Sequence, residues 1–497
     1  MPPAKPLSVA VRLPAVPGKE GGCLDALRAL RGIEIRRLEV AGPVQHLDLI
    51  LDLTSRPAEP SQLAGPRYGY WTFLYGERPE RIAPGLPEIL TGQRAAFVRL
   101  ARLTPGGKAV ILREGSVKTV IHSPTRTRRR LLEAASRWPA EKLAELARSG
   151  AAAEGAEVEL PVRSRAARIG LLARLPAALL RNVARRTSQA LTRERWRIGV
   201  IEQPIGRVVE AFDPAAIQWM DLPFDGFLAD PFGIAGPDGG LIILAEAFAW
   251  KERRGRIAAI ERGRNGALTL APTSLTHDTH LSYPQLIEHQ GETYCLPESS
   301  ARHRVQLFRA LEFPGRWTPD SVLLDGFAGA DATVIRYRER WWMFTGNHAD
   351  QDEAKLFVFH AADLHGPWMP HALNPVKCDL RSSRPAGTPF IGEDGALYRP
   401  AQDCSRVYGG AVAVNRVTRL TPDEFEEVIA THLRPDLEGP CPDGMHTLSA
   451  AGDLTLVDGK RHEPLTARIA AALNRSRRDP ARAAPRHGQN RFRQSAT

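Results

Sequence analysis

The segment ADPFGIAGPDGGLIILAEAF, residues 229–248, and the segment SYPQLIEHQGETYCLPESS, residues 282–300, share one pattern. This pattern recurs as ADATVIRYRERWWMFTGNH at residues 330–348 and as GTPFIGEDGALYRPAQDCS at residues 387–405. Each copy has two short apolar segments, rich in β-branched and aromatic residues, that are separated by polar or glycine residues. The second segment of each copy ends on a polar group. Short apolar segments bounded by turn residues predict a β-hairpin in each copy.

The four copies are regularly spaced. Their anchor residues lie about fifty residues apart, the period of propeller blades that have four strands each. The anchors are Asp230, Tyr283, Asp331 and Thr388. Two further strand-like segments, Trp196–Val209 and Ala411–Val417, lie outside the four copies. Together these segments predict a five-bladed β-propeller.

The sequence before the repeats has a different pattern, in which strands and helices alternate. LSVAVRLP from Leu7 and HLDLILDLT from His46 are predicted strands, and CLDALRALRG from Cys23 is a predicted helix. Such alternation favours a mostly parallel sheet with helices on both faces. We therefore predict a Rossmann-like α/β domain at residues 1–150, a basic helical linker at 151–194, the propeller at 195–455 and a disordered basic tail at 456–497.

Composition and charge limit the class of protein. The chain has 497 residues, a formal net charge of +11 and five cysteines, and its arginines are concentrated at residues 126–130, at 163–197 and after Arg461. The cysteines lack the spacing of a metal site, which favours reduced thiols and a cytoplasmic protein. The first residues lack the apolar run of a signal peptide, and no stretch approaches the roughly twenty apolar residues of a membrane span.

The basic segments raise the question of a nucleic-acid or membrane partner. Residues 166–189 could form a helix with Ile169, Leu172, Leu179, Leu180 and Val183 on one face and arginines on the other. Such a helix can lie on an anionic membrane, or it can pack between two domains with its arginines in water. The tail has no motif of a specific nucleic-acid reader, so no such partner is predicted.

Two segments of the α/β domain, residues 69–93 and 100–119, resemble the core of formyltransferase-type folds. The resemblance covers Asp48 to Pro139. It implies a catalytic histidine and aspartate, but Leu74 and Tyr75 stand where the histidine would be, and Thr104–Pro105–Gly106 stand where the aspartate would be. Formyl transfer needs an acid/base group to manage the amine proton. We therefore predict a degenerate formyltransferase-like domain and expect no formyltransferase activity.

The repeat region carries a second resemblance. Its ordered motifs ADPF at 229, HLSYP at 280, LPES at 296, DAT at 331 and LYRPAQDCS at 397 are similar to the N-terminal propeller domain of plant glucosamine inositolphosphorylceramide transferases. The plant proteins continue into a separate glycosyltransferase domain, so the transferase activity is not carried over. More distantly, the region resembles the five-bladed propellers of family 43 glycoside hydrolases, which implies carboxylates that converge on the central funnel.

Three acids match this implied arrangement. Asp230 stands where the family has its first catalytic aspartate, and Glu298 and Asp331 are candidates for a partner acid and an orienting carboxylate. Glycoside hydrolysis needs one protonated and one ionised carboxyl group across the glycosidic bond. Each aspartate could instead accept backbone hydrogen bonds at a turn.

Seven further residues are predicted to bind substrate. Three of them, Glu246, Asn347 and Gln402, end the second strand of their copies as Glu298 does, and these four residues could form a polar ring at one mouth of the funnel or make a repeated structural hydrogen bond. The predicted substrate-binding residues are Glu246, His280, Tyr283, Asn347, Arg384, Gln402 and Asp403. No cofactor and no metal site are predicted, because His280 and His348 lack a third ligand at metal spacing. The tryptophans at 317, 341, 342 and 368 are interpreted as blade-packing residues.

These observations predict a protein that acts on or binds carbohydrate, in cell-surface polysaccharide or glycoconjugate metabolism. Two alternatives remain open at this point. One is a glycoside hydrolase that uses Asp230 with Glu298 or Asp331. The other is a non-catalytic scaffold, since propellers often present their faces to other proteins.

Overall fold

The structure, a computed structural model, describes residues 6–13, 21–38, 46–54, 60–80, 82–151, 155–160, 170, 173–189, 192–236 and 240–464. Its N-terminal part is one seven-stranded sheet with helices packed on it. The strands are β1 Leu7–Arg12, β2 Ile33–Arg37, β3 Leu49–Asp52, β4 Tyr70–Tyr75, β5 Ala95–Leu103, β6 Lys108–Lys118 and β7 Glu157–Glu159. The helices are α1 Gly21–Arg28, α2 Pro60–Ala64, α3 Leu86–Thr91, α4 Pro124–Ala135 and α5 Trp138–Ser149.

This sheet is mixed, with the strand order β2-β1-β3-β4-β5-β6-β7. The first four strands pair in parallel, whereas β5, β6 and β7 pair antiparallel. The antiparallel half follows from the turn between β5 and β6, where Gly106 and Gly107 adopt φ of 96° and 85°. A turn this short joins only antiparallel strands. The predicted α/β domain is thus present with fewer parallel strands than expected, and its resemblance to formyltransferases stays a prediction.

The predicted five-bladed propeller is confirmed. Blades 1 to 4 follow one another along the chain, each an antiparallel sheet of four main strands. Blade 1 contains β10 Gly226–Ala235, β11 Leu241–Ala249, β12 Arg254–Arg262 and β13 Leu268–Leu275; blade 2 contains β14 Ser282–His289, β15 Glu292–Glu298, β16 Arg304–Glu312 and β17 Arg316–Asp325. Blade 3 contains β18 Gly329–Tyr337, β19 Arg340–Asn347, β20 Lys355–Ala361, β21 Met369–Pro370 and the short β22 Lys377–Cys378; blade 4 contains β23 Phe390–Ile391, β24 Leu397–Asp403, β25 Ala411–Leu420 and β26 Phe425–Leu433.

Blade 5 is built from two distant parts of the chain. Its strands are β8 Thr192–Ile201, β9 Gln218–Trp219, β27 Leu448–Ala451 and β28 Leu454–Pro464, in the order β27-β28-β8-β9. Strands β28 and β8 pair antiparallel over their whole length, from Thr455 with Ile201 to Pro464 with Thr192. The propeller therefore runs past residue 456, where the tail was predicted to begin, because β28 closes the ring. The rest of the predicted tail lies outside the described residues.

Apolar side chains fill the spaces between neighbouring blades. Trp341 and Trp368 are buried between blades 2 and 3, and Trp342 is buried between blades 3 and 4. Trp317 is half-buried against the core between blades 1 and 2. The interpretation of these tryptophans as packing residues agrees with their positions. The five cysteines are buried free thiols.

The inner strands of blades 1, 2 and 3 share a strained residue at the funnel. Asp230, Tyr283 and Asp331 have φ of 54°, 47° and 50°, and each lies at a register shift between the first two strands of its blade. A positive φ is rare for residues other than glycine. In blade 4 the corresponding residue with positive φ is Gly387, at 110°. It lies one residue before Thr388, the anchor that the sequence repeat indicated. The repeat thus places equivalent residues at the centre of the ring.

The α/β domain docks on blades 3 and 4 through β6. Ser116 Oγ donates to Asp379 Oδ1 at 2.8 Å, and Leu380 N donates to Ser116 Oγ at 3.0 Å. Arg94 Nε donates to Cys404 O at 2.9 Å, and Cys378 and Cys404 belong to the same apolar core as the α/β helices. The two domains therefore share a packed interface.

Two further α-helices of the described chain are α6 Leu175–Gln189 and α7 Ile205–Glu210. Helix α6 lies in the predicted basic segment and packs on the α/β domain, where Asn182 Nδ2 donates to Ile89 O at 2.8 Å. Leu180 and Val183 of its predicted apolar face are exposed, and Ile169 and Leu172 lie outside the described residues. Contact with a membrane stays a prediction. No helix in the described part of the chain is long and apolar enough to cross a bilayer.

Candidate functional site

Four carboxyl groups from three blades line the funnel. Asp230 and Glu246 belong to blade 1, Glu298 to blade 2 and Asp331 to blade 3, and each is at most 7% exposed. The acids share one electrostatic environment, because the charges of Asp230, Glu298 and Asp331 all raise the pKa of Glu246. The structure thus brings together the three predicted catalytic acids, and adds Glu246 from the predicted substrate-binding set.

Asp230 faces a histidine and a second aspartate from blade 5. Its Oδ1 lies 3.6 Å from His446 Nε2, and His446 Nδ1 lies 2.7 Å from Asp458 Oδ2. Asp458 also accepts hydrogen bonds from the backbone N–H groups of Asp230 and His446, at 3.0 and 2.9 Å. Burial raises the pKa of Asp230 to about 6, which His446 opposes. Asp458 thus orients His446 toward a carboxyl group that titrates near neutral pH.

Glu246 is buried beside His280. His280 Nδ1 accepts a hydrogen bond from Gly255 N at 2.9 Å, which places the ring proton of neutral His280 on Nε2, 3.3 Å from Glu246 Oε1. Burial and the charge of Asp230 raise the pKa of Glu246 well above its usual range, and burial lowers the pKa of His280. This shift favours the protonated form of Glu246, which has a proton to donate.

Glu298 is ionised, and each of its carboxylate oxygens has a polar partner. Its Oε2 accepts a hydrogen bond from Asp331 N at 2.9 Å, and its Oε1 lies 2.9 Å from His348 Nε2. Burial acts to raise the pKa of Glu298, but the His348 hydrogen bond and the Arg384 charge outweigh it and lower the pKa to about 2. The geometry therefore favours Glu246 over Glu298 as a proton donor.

Arg384 is the central cation of the site and is 5% exposed. Its Nε donates to Asp331 Oδ2 at 2.6 Å and its Nη2 donates to Asp331 Oδ1 at 3.2 Å, while Nη1 donates to Asp352. Gln402 Nε2 donates to Asp331 Oδ2 at 2.8 Å. Burial raises the pKa of Asp331, and Arg384 opposes that rise. Asp331 is thus bound on both oxygens by groups that fix its position.

The remaining predicted residues differ in position. Tyr283 is buried, and its hydroxyl contacts Thr333 Oγ1 at 3.0 Å and accepts from Gly387 N at 2.5 Å, so it joins neighbouring blades. Asn347 accepts from Ala349 N at 3.0 Å, and Asp403 accepts from Ser405 N at 2.9 Å. These two side chains fold back on their own turns rather than toward the acids.

Sequence reasoning missed His446 and Asp458, and it weighed His348 as a metal ligand or an acid/base group without including it among the site residues. His446 and Asp458 belong to the blade whose strands were left unassigned, and the segment TLVDGK around Asp458 shows none of the Asp-Pro or Tyr-Pro anchors of the other blades. With Asp230, these two side chains offer ligand atoms within 4.8 Å of one another, a set that could hold a metal ion. Backbone N–H groups already occupy both oxygens of Asp458, which leaves it few free lone pairs for a metal.

The contacts of His348 predict a pH-dependent stability. Hydrogen bonds to Asp352 and Glu298 raise the pKa of His348 from 6.5 to about 10. Because the folded pKa is the higher one, protonated His348 stabilises the fold fully below about pH 6.5, and this contribution is lost as the pH rises toward 10. We expect His348→Gln to lower the melting temperature clearly at pH 6 and little at pH 10. A difference between variant and parent that stays constant over this range would contradict the assignment.

Comparison with known proteins gives a match to the propeller region. The family model described as "Glucosamine inositolphosphorylceramide transferase 1, N-terminal" matches residues 214–436, as the sequence motifs predicted. Glucosamine inositolphosphorylceramide transferase 1 of Oryza sativa subsp. japonica is 33% identical over 208 residues, and the Arabidopsis thaliana protein of that name is 32% identical over 209 residues. These alignments cover 41% of this chain but only 28% and 27% of the plant proteins.

A solved structure also aligns with the chain. It is Zg3597, a family 117 glycoside hydrolase from the marine bacterium Zobellia galactanivorans, which has 12% sequence identity. The alignment covers 49% of this chain and 90% of that chain, with a TM-score of 0.33.

Proposed function

We propose that the funnel of the propeller binds a sugar-containing ligand and carries out acid–base chemistry on its glycosidic bond. The observation that carries this proposal is the pair Glu246 and Asp230. Burial and the charge of Asp230 raise the pKa of Glu246 well above its usual range and favour its protonated form, whereas Asp230 has a pKa of about 6 and is mostly ionised at neutral pH. Cleavage or transfer of a glycosyl group needs one acid to protonate the leaving oxygen and one carboxylate on the other side.

Similarity supports the same class of ligand. The similar plant proteins and the family model that matches residues 214–436 carry the name glucosamine inositolphosphorylceramide transferase 1. The chain aligns with about a quarter of their length, so their whole activity is not assigned here. We propose glycoconjugates or cell-surface polysaccharides as the ligand class.

An aromatic row next to Glu246 suits a sugar ring. Phe227 and Phe248 stack at 5.0 Å between centroids, and Trp250 packs edge-on against both, at 5.5 and 5.8 Å. Side chains alternate along a strand, so Phe248 shares a face of β11 with Glu246, and Trp250 directly follows the strand. The faces of aromatic rings attract polarised C–H bonds, such as those of a pyranose. The half-buried Phe227 and Phe248 therefore offer apolar surface near Glu246, while the guanidinium of Arg193 lies over the Trp250 ring at 4.1 Å.

Asp230→Asn tests the proposal. The substitution keeps the size of the side chain but removes the charge, so we expect loss of turnover with sugar affinity retained. Product analysis and calorimetric titration should use a panel of hexosamine- and uronate-containing oligosaccharides. Since Asp230 must be ionised, turnover by the parent should fall as the pH drops below about 6. Parent turnover that Asp230→Asn leaves intact would contradict this role.

A binding module without turnover is the second candidate. The hydrogen bonds of Glu298 and Asp331 favour this candidate. The oxygens of Glu298 contact His348 and a backbone N–H group, and Asp331 accepts hydrogen bonds from Arg384 and Gln402. In that case the same titrations give binding by parent and variant alike, and no product forms. A chain that neither binds nor converts any of these glycans would favour a protein-interaction scaffold instead.

A further inference from the structure

Basic side chains of the α/β domain border the funnel mouth. Arg94 and Lys118 both contact the carboxylate of Glu353 in blade 3. Arg130 Nη1 donates to Lys118 O at 3.0 Å, and Arg126 lies one turn before Arg130 on α4. We call these four residues, Arg94, Lys118, Arg126 and Arg130, the basic rim.

The basic rim carries more positive charge than its surroundings neutralise. Glu353 is shared between Arg94 and Lys118, and neither Arg126 nor Arg130 has an acidic partner within 4 Å in the described part of the chain. By contrast, the neighbouring Arg129 pairs with Glu133 at 3.9 Å. Burial lowers the pKa of Arg130, and the charges of Arg129 and Arg126 add to this effect, while the charge of Glu353 opposes it. The basic rim can therefore accept an anionic group.

Its position links the basic rim to the acids of the funnel. Glu353 directly follows Asp352, whose Oδ2 lies 3.1 Å from His348 Nδ1 and accepts a hydrogen bond from Arg384. The funnel interior is lined by carboxyl groups and repels an anion, whereas the basic rim attracts one. A ligand with a neutral sugar and an anionic substituent would thus be oriented with its sugar inward.

We propose that the basic rim binds a phosphate group attached to the sugar-containing ligand. Phosphate is a compact acceptor with several oxygens, and arginine N–H groups bind it with good geometry. The inference rests on the proposed carbohydrate site, and it assigns the α/β domain a part in ligand recognition. The phosphate belongs either to a soluble sugar phosphate or to a lipid headgroup, and the two sources share this chemistry.

The test compares ligands that differ only in the phosphate. Calorimetric titration of the full chain with glucosamine and with glucosamine 1-phosphate should show at least about tenfold tighter binding of the phosphate ester, the gain expected from about 1.4 kcal/mol of charge-assisted hydrogen bonding. The double variant Arg126→Ser/Arg130→Ser should lose this preference and keep the affinity for glucosamine. Arg148→Ser, an exposed arginine on α5, is the matched control and should behave as the parent. Cosedimentation with phosphatidylinositol vesicles distinguishes a lipid headgroup from a soluble ester.

The outcomes separate this inference from the proposed function. Equal affinity for both ligands, or a preference that survives in the double variant, overturns the phosphate site while the sugar site stands. If neither ligand binds, the oligosaccharide panel decides on the carbohydrate proposal, and titration with inorganic pyrophosphate decides on the basic rim alone. Pyrophosphate binding that Arg126→Ser/Arg130→Ser abolishes supports the phosphate site, and absence of such binding overturns it.

Discussion

Glu246→Gln is expected to reduce turnover of the glycosidic bond by about 10²–10⁴-fold, the contribution usual for a general acid. Glutamine keeps the shape of the side chain and its contact with His280 but has no acidic proton. Because burial and neighbouring carboxylates raise the pKa of Glu246 and favour its protonated form, the substitution changes the charge of the funnel little. We therefore expect the fold and the sugar affinity to be retained while the chemical step is lost.

The measurement is product formation at a saturating concentration of the glycan that binds the parent best. Glu288→Gln is the matched control, since Glu288 is exposed on the neighbouring blade. A second readout is the pH dependence of turnover. In the parent, activity should fall when the pH rises above the raised pKa of Glu246, and this alkaline limb should be absent from any residual activity of the variant. Turnover at the parental rate in Glu246→Gln would assign the proton donor elsewhere.

Arg384→Met should strongly destabilise the propeller. The guanidinium lies within 4 Å of three carboxylates, Asp331, Asp352 and Glu298. Removing one partner from a buried ion-pair network leaves uncompensated charges, which typically lowers stability by about 3–5 kcal/mol. For a domain of this size such a loss lowers the melting temperature by roughly 10 °C.

Thermal unfolding of Arg384→Met at two pH values tests this prediction. The loss should be smaller at pH 5 than at pH 8, because Asp331, the one of these three acids whose pKa is raised, takes up a proton at the lower pH. Arg416→Met serves as the control, since Arg416 pairs with Asp394 at the surface, where both side chains are over 40% exposed. A melting temperature of Arg384→Met equal to that of this control would show that the network contributes little to stability.

The sequence repeat was sufficient to predict much of the site. Each copy contains the first two strands of a blade, and these strands carry the residues nearest the axis. Asp230, Glu298 and Asp331 could therefore be expected to meet, and the structure brings them together. Asn347 shows the limit of the pattern. Glu246 pairs with Ala229 and Glu298 pairs with Ser282, whereas the residue that pairs with Ala330 is Gly346. Asn347 therefore lies one residue beyond the position equivalent to these two acids.

Other features depend on burial and chain closure, which the sequence pattern does not show. Glu246 and Glu298 occupy equivalent positions in their blades, yet one has a raised and the other a lowered pKa. The difference comes from His348 and Arg384, which reach Glu298 from blade 3 and from the segment before blade 4. His446 and Asp458 were missed because blade 5 combines strands that lie over 200 residues apart in the sequence.

The closure of blade 5 sets the order in which this protein can mature on the ribosome. Strand β8 is synthesised before any complete blade, but its partner β28 ends only at Pro464. Until then, the nascent chain holds four blades with an unpaired strand at one end, an edge that can associate with other chains. His446 and Asp458 arrive with the closing strands, so the chemistry of Asp230 is assembled only after translation of nearly the whole propeller. We expect truncation before β28 to yield an aggregation-prone product without a competent site.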